Sequence, residues 1–388
     1  MNKTYCPVLF DTIYSSNADD CYNLCCFAER GHPLDKKYKQ KTHEPFEFFL
    51  SKEMDEIRDK SLKGENIAQC KRCYKEEKET GYSNRNRYIY ERRFETLPVK
   101  VEKVRFKLRH FGNHCNLGCL MCHPYNSTTR TKELKDIGLY KDLYASYNNP
   151  VYENLDYKSY QLFKNNIIEN IERISQIQIT GGEPFQIPKV WQFLVDDIPK
   201  EYAKNINLVF DTNLTNLNYK KYTYEHLLEK YKKIRLNVSC DHIKDKLGFI
   251  RYPIDVDLFE KNLEKYKDNV NRVNVTVQLL NIFDLDIIKQ YYKGYDVCTE
   301  SYVDHPKFLS VRNLKNEYKK QLQDNYTGYE DRNKLFFTEF TREPLRVKQK
   351  IIDYLNSLSK HRKLDWTKIW NKDLMECLYD WKIIKRQW

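Results

Sequence analysis

Residues 103–124 read KVRFKLRHFGNHCNLGCLMCHP, and the fold class follows from this stretch. Its first half alternates Val104, Phe106, Leu108 and His110 against Arg105, Lys107 and Arg109, the two-residue period of a strand with one apolar face. The second half breaks that period with Gly, Asn and Cys, and sets Cys115, Cys119 and Cys122 on a loop at the strand's end. Loops after the C-terminal ends of strands are where alternating β/α folds build their sites. The same unit then repeats. Strands are expected at ISQIQIT (174–180), INLVFDTN (206–213), IRLNVSCD (234–241) and VNVTVQLLN (273–281), with a sixth near Phe308–Val311. Between them, helical spacing runs from Tyr160 and Phe163 to Ile174, over 190–198, through Leu227, Leu228 and Tyr231, over 257–266 and over 284–293. Five or six β–α repeats give an α/β fold with a parallel sheet and right-handed crossovers, either doubly wound or a closed or partial barrel.

The flanks differ from this core. Residues 1 to about 96 have few long periodic segments; PFEFFLSKEMDEIRDKSLKGE (45–65) reads as one helix ending near Gly64, followed by the knuckle QCKRCYKEEKETGYSNR (69–85). That composition suits a small metal-supported module. After residue 340 the spacing of Val347, Ile351, Leu355 and Leu358 predicts a helix, and a tail with Trp366, Trp370, Trp381 and Trp388 is expected to pack back on the core.

Composition bounds the class. Of 388 residues, 40% are apolar and 14% aromatic, enough for a packed core. The net charge of +12 admits nucleic acid or another anionic partner, yet the cations are scattered among acids, as in EIRDKSLKGE, and a Lys-, Asn-, Tyr- and Ile-rich bias also follows from an AT-rich coding genome. Nucleic acid is therefore not favoured. No run of 18 apolar residues predicts a membrane span, and the first residues lack the pattern of an export signal, so a cytoplasmic location is expected. Twelve cysteines in a reducing compartment point to metal or catalysis rather than disulfides. Nine fall before residue 123, in the groups Cys6/Cys21/Cys25/Cys26, Cys70/Cys73 and Cys115/Cys119/Cys122; Cys240, Cys298 and Cys377 stand alone and read as small core residues.

Three thiolates on one short loop can hold three irons of a [4Fe–4S] cube and leave the fourth open to a ligand. Structural zinc prefers four ligands drawn from two ends of a finger, and His114 or His123 is awkwardly placed to complete such a set here. One β–α unit later, ITGGEPF (179–185) supplies Gly181 and Gly182 for close backbone approach and Glu183 as a carboxylate for an ammonium group.

Together, CNLGCLMC and GGEP resemble the radical S-adenosylmethionine superfamily, whose members carry a CxxxCxxC loop after the first strand and a GGE motif after the second. The resemblance implies a partial (β/α)6 TIM-like barrel over 99–312. It implies a [4Fe–4S] cluster on Cys115, Cys119 and Cys122, and S-adenosylmethionine held by Gly181, Gly182 and Glu183. DTNLT (211–215) is similar to the family's TNGT-like segment, which brings in Asn213, with Leu214 where glycine is commoner. VSCD (238–241) is similar to its VSID-like segment, which brings in Ser239 and Asp241. Met121 stands where an aromatic residue often shields the adenine. The implied chemistry is reductive cleavage of S-adenosylmethionine to a 5′-deoxyadenosyl radical that abstracts hydrogen from a substrate.

The N-terminal third resembles the twitch-type module of some of these proteins, with CP at Cys6, the Cys25/Cys26 pair, and Cys70, Cys73, Glu77, Gly81, Ser83 and Arg85 in matching order. That implies an auxiliary [4Fe–4S] cluster in residues 1–98 on Cys6, Cys26 (or Cys25), Cys70 and Cys73, with zinc as the other occupant to weigh and Cys21 a bystander. Residues 313–388 are expected to be a helical extension. Expected partners are a peptide, protein or small-molecule substrate and an electron donor such as a flavodoxin or ferredoxin. The rival classes are an RNA-modifying enzyme of the same chemistry and a zinc-knuckle RNA-binding protein.

Overall fold

The computed structural model describes residues 3–16, 20–92, 99–144, 155–303, 305–314, 344–370 and 374. Among these are eight strands: β1 (Thr12–Ser16), β2 (Cys21–Asn23), β3 (Val104–Leu108), β4 (Ile174–Ile179), β5 (Asn207–Thr212), β6 (Lys233–Ser239), β7 (Val270–Val277) and β8 (Val297–Tyr302). Their order is β2-β1-β3-β4-β5-β6-β7-β8, with β1 antiparallel to β2 and parallel to β3. The sheet is open, and with helices between its parallel strands it is the α/β arrangement of a partial barrel. No helix among the described residues is long and apolar enough to cross a membrane.

The chain divides into two compact units. The first holds Met1–His114, Val151–Thr212 and Asn216–Leu236. Here Ile13, Phe106, Ile177 and Leu208 lie in register across β1, β3, β4 and β5, all buried. Helices Pro45–Phe49 and Tyr157–Glu169 cover this apolar face. Phe46 meets Phe106 edge-on at 5.7 Å between ring centres, and its N–H donates to Asn166 Oδ1 at 3.1 Å. The other face of the same strands is polar, with Thr12, Arg105 and Gln176 in one row and Tyr14, Lys107 and Gln178 in the next.

The second unit holds Cys115–Pro150, Asn213–Thr215 and Asn237–Trp388. It carries the parallel pair β7–β8, helices Thr128–Asp136, Lys244–Ile250 and Val256–Lys265, and the long helix Pro344–Arg362. Trp366 and Trp370 are buried there; Trp370 donates to the Leu280 carbonyl at 2.7 Å and meets Phe249 edge-on. Trp381, Trp388 and Cys377 lie outside the described residues.

Two local expectations need correction. The helix expected over 45–64 is two, Pro45–Phe49 and Lys52–Lys63, because Ser51 takes an extended conformation and caps the second by accepting from Met54 N at 3.3 Å. Gly64, with φ 82°, ends it as expected. The strand expected near Phe308–Val311 lies instead at Val297–Tyr302, and 307–313 form two 3₁₀ turns. Pro306 lacks the N–H a central strand needs, whereas VCTESY offers β-branched and aromatic residues that suit one.

The strand β1 makes a direct prediction. Ile13→Ala should lower the stability of the first unit by about 2–5 kcal/mol, the cost of a large-to-small change in a packed core. Denaturant unfolding followed by far-UV circular dichroism measures it, and a midpoint unchanged from wild type would show that the first strand is not part of that core.

Candidate functional site

The loop Cys115–Cys122 has no regular secondary structure, so its buried backbone groups need individual partners. Side chains of the second unit take its carbonyls one by one. Thr129 Oγ1 donates to Cys115 O at 2.6 Å, Ser127 Oγ to Leu117 O at 2.7 Å, Arg362 Nη2 to Gly118 O at 2.8 Å, and Tyr354 Oη to Leu120 O at 3.1 Å. Two of its amides are held by one segment, Gly118 N on Tyr252 O at 2.7 Å and Leu120 N on Ile250 O at 2.9 Å. At Gly118 the backbone packs closely on helix 128–136: a Cβ there would lie 3.2 Å from Glu133 Oε2, so that carboxylate would have to give by a few tenths of an ångström.

The three sulfurs are free thiols, Cys115 and Cys119 buried and Cys122 half-buried. Arg251 Nη1 donates to Cys119 Sγ at 3.6 Å, and Asn213 Nδ2 lies 3.9 Å from Cys115 Sγ. Burial pushes the Cys119 thiol up, while Arg251, Arg362 and Arg130 pull the other way. Among the described residues no three Cys, His, Asp or Glu converge as a single ion's ligands. A cube gives each thiolate its own iron and needs no such convergence. The donor set therefore fits an iron–sulfur cluster: soft sulfurs, a backbone already fixed, and cationic groups beside ligands that must be anionic. Met121 is half-buried between Leu120 and Cys122 in sequence.

The glycine-rich turn belongs to the first unit. Gly181 and Gly182 have φ 90° and 62°, the left-handed region that glycine enters without strain. A Cβ on Gly182 would sit 2.5 Å from His114 O, so this backbone lies directly on the residue that precedes Cys115. Glu183 N donates to that same carbonyl at 2.8 Å. The Glu183 carboxylate is buried and accepts from Thr212 Oγ1 at 2.7 Å.

The remaining expected residues fall in the second unit. Asn213 Oδ1 accepts from Thr215 N and Oγ1, and its Nδ2 donates to Asn116 Oδ1 at 2.9 Å, which ties Asn213 to the cysteine loop. Leu214 has φ 58°, so the position where the family favours glycine does demand left-handed backbone. Ser239 is half-buried at the end of β6. Asp241 accepts from Thr276 N at 2.7 Å and pairs with Arg251 at 2.7 Å. Cys240 is buried and donates to His242 O at 3.0 Å, the environment of a core residue; burial pushes its thiol up to about 12. Cys298 lies within β8.

Sequence reasoning missed Arg251, Thr212, Arg130, Glu133, Tyr354 and Arg362. Thr212 lies within DTNLT (211–215), where only Asn213 was singled out; the others belong to no spaced motif, and only IRYP, one helix beyond an expected strand end, offered a hint of Arg251.

In the first unit the N-terminal cysteines gather. Cys25 is within electrostatic reach of Cys26, Cys6 and Cys70, and Cys70 of Cys6 and Cys73. Burial first, and the neighbouring thiols second, push Cys70 up to about 12 and raise Cys25 well above the ordinary thiol range. Arg85 braces the group, bonding Glu77 at 2.8 Å and Tyr5 O at 2.9 Å, with Ser83 on the same carboxylate. Cys26 Sγ lies 3.6 Å from Tyr88 Oη. Cys21 is buried in β2.

Residues 110–289 match the family described as the Radical SAM superfamily. No curated protein matches the chain. Solved structures similar to it include "Native anSMEcpe with bound AdoMet", at 16% identity over 57% of this chain and 62% of that one, with a TM-score of 0.38. A second, of histidine-tagged anSMEcpe with bound AdoMet, matches at 16% identity over 57% of each chain, with a TM-score of 0.40. The chain thus spans less than two thirds of the length of these structures, and likeness at this level carries no functional argument.

Two substitutions probe the turns. Gly182→Ala should cost more than about 1–2 kcal/mol, the strain of left-handed backbone, because its methyl meets the His114 carbonyl as well; an unfolding midpoint equal to wild type would refute the close approach. Leu214→Gly removes strain of about 1–2 kcal/mol but also a fully buried side chain worth about 2–5 kcal/mol, so a net loss is expected in the same measurement.

Proposed function

Residues 110–289 are a radical S-adenosylmethionine domain, and from that premise we propose that the chain is an enzyme that uses S-adenosylmethionine and a [4Fe–4S] cluster to modify a peptide or protein. The observation that carries this reading is the cysteine loop, with its soft donors, satisfied carbonyls and Arg251 beside Cys119. Cys115, Cys119 and Cys122 hold the cluster, and Gly181, Gly182, Glu183, Asn213, Ser239, Asp241 and Met121 serve S-adenosylmethionine. The bound pair supplies one-electron cleavage to a carbon radical that abstracts hydrogen from the substrate. The chain's own part is to bind, orient and exclude water. Glu183, buried and oriented by Thr212, offers a carboxylate to the ammonium group. Gly182 lets the turn that carries Glu183 pack against the His114 carbonyl.

The proposed division is 1–98 for the auxiliary module, 99–312 for the barrel and 313–388 for the extension, of which 313–314, 344–370 and 374 are among the described residues. The auxiliary cluster takes Cys6, Cys70, Cys73 and one of the Cys25/Cys26 pair. The proximity of Cys25 to Cys6 and Cys70 favours Cys25, whereas the motif comparison favoured Cys26. The substrate reading rests on the polar face of β3. Arg105 and Lys107 lie on it, with Arg105 paired to Asp11 at 3.7 Å; Arg109 continues their alternation, and the Asp211 carboxylate nearby is taken by Gln178 at 3.0 Å. Such a face suits an acidic peptide. A flavodoxin- or ferredoxin-type donor supplies the electron, and the free thiols of the described residues fit a reducing cytoplasm.

Iron and sulfide assay with the visible spectrum tests this on anaerobically reconstituted protein. About eight irons should fall to about four in the Cys115/Cys119/Cys122 triple alanine variant, given four irons per cube. Zinc with no iron would overturn the proposal and bring forward the RNA-binding reading. Single Cys25→Ala and Cys26→Ala variants then discriminate the fourth auxiliary ligand, since only the true ligand's loss releases the second cluster. Glu183→Ala should weaken S-adenosylmethionine binding at least about tenfold with iron content intact, the scale of one charge-assisted hydrogen bond.

A further inference from the structure

The helix Pro344–Arg362 begins more than 220 residues after the cysteine loop, yet its side chains hold that loop's backbone. Arg362 is buried and spends its guanidinium on three elements. Nε and Nη2 bond the two oxygens of Glu133 at 2.6 and 2.8 Å, Nη2 also bonds Gly118 O at 2.8 Å, and Nη1 bonds Phe249 O. Arg130 completes the triad from the other side, bonding Glu133 and Tyr354 Oη, and reaching Leu120 O at 3.2 Å. Tyr354 Oη donates to the same Leu120 carbonyl at 3.1 Å. The carbonyls so held, Gly118 and Leu120, flank Cys119 on both sides.

The charges do not cancel. Arg130 and Arg362 bring two cations to the single carboxylate of Glu133, all buried. A buried ion triad is a poor way to gain stability, since apolar side chains of similar volume often serve as well or better. Its geometry is better explained by what it faces. Thiolate-ligated iron–sulfur cubes are anionic, and their potentials respond to nearby charge and to hydrogen bonding at the ligands.

We propose that Tyr354 and Arg362, with the Arg130–Glu133 pair, are positioning residues: they lock the Gly118 and Leu120 carbonyls so that Cys119 is presented to the cluster, and leave one buried positive charge to balance it. The C-terminal helix is thereby a working part of the cluster site. This rests on the radical S-adenosylmethionine reading. Tyr354→Phe deletes one hydroxyl and Glu133→Gln is nearly isosteric, so both keep the shape of the core. Arg362→Lys keeps the charge but loses the planar fork that reaches Glu133 and Gly118 together.

The test uses full-length protein, reconstituted anaerobically, and follows the cluster whose paramagnetic resonance signal changes on adding S-adenosylmethionine. Two readouts are taken: its rate of iron loss to a ferrous chelator, and its reduction midpoint. Tyr354→Phe and Arg362→Lys should speed iron loss from that cluster about fivefold, as expected for one net hydrogen bond, and leave the other cluster unchanged. Glu133→Gln, which adds net positive charge, should raise the midpoint, whereas Arg362→Lys should leave it near wild type. A purely structural role would destabilise all three variants without that ordering. Variants with wild-type iron loss and midpoint, or with equal effects on both clusters, would overturn the inference alone. Wild type that takes up no S-adenosylmethionine-responsive cluster would overturn the underlying reading and the inference with it.

Discussion

A buried loop without regular structure has to satisfy every carbonyl and amide by some means other than a ladder or a helix. In Cys115–Cys122 the means are side chains drawn from helix 128–136, helix 344–362 and the cap residue Ser127, with backbone from the segment 250–252. Each bond is worth only about 1 kcal/mol net, but leaving one of these carbonyls unpaired costs more than making the bond gains. Cumulatively they allow the loop few alternative paths. The thiols are thus carried on a backbone whose conformation the protein's own side chains hold.

Electrostatics complements that geometry. Burial disfavours a bare thiolate, and the raised Cys119, Cys25 and Cys70 all follow from it. A thiolate at either place needs positive charge beside it. At Cys119 the protein adds Arg251, Arg130 and Arg362. At the N-terminal group it adds Arg85, which Glu77 orients. Glu133 shows the same logic inverted: burial alone would raise its carboxyl, yet Arg362 and Arg130 hold it below the ordinary range.

In the sheet of the first unit one strand divides its residues between a packed face and a polar one. Phe106 and Leu108 are fully buried, and the residues that alternate with them are cationic. Parallel strands covered on both faces usually read as continuous apolar runs. The alternation in β3 therefore marks a second face lined by polar and charged side chains in place of another apolar layer, and the cysteine loop begins just past the end of that strand.

That alternation is local, and so it was legible from residues alone, as were the β–α repeats, the cysteine spacing and the glycine pair. Strand period, helix period and motif spacing are properties of neighbours along the chain. Short-range physics also explains two features that only needed closer reading. Ser51 splits a continuous helical pattern because its hydroxyl competes for the next turn's amide, and Leu214 holds left-handed backbone because its burial outweighs the strain. What the sequence could not disclose were the partners separated by hundreds of residues. Arg362 on Gly118, Tyr354 on Leu120 and Arg251 on Cys119 carry no periodic or spaced signature. They meet only because the chain returns. A hydrogen bond constrains distance in space and leaves separation in sequence free, so tertiary structure alone decides which arginine faces which carbonyl.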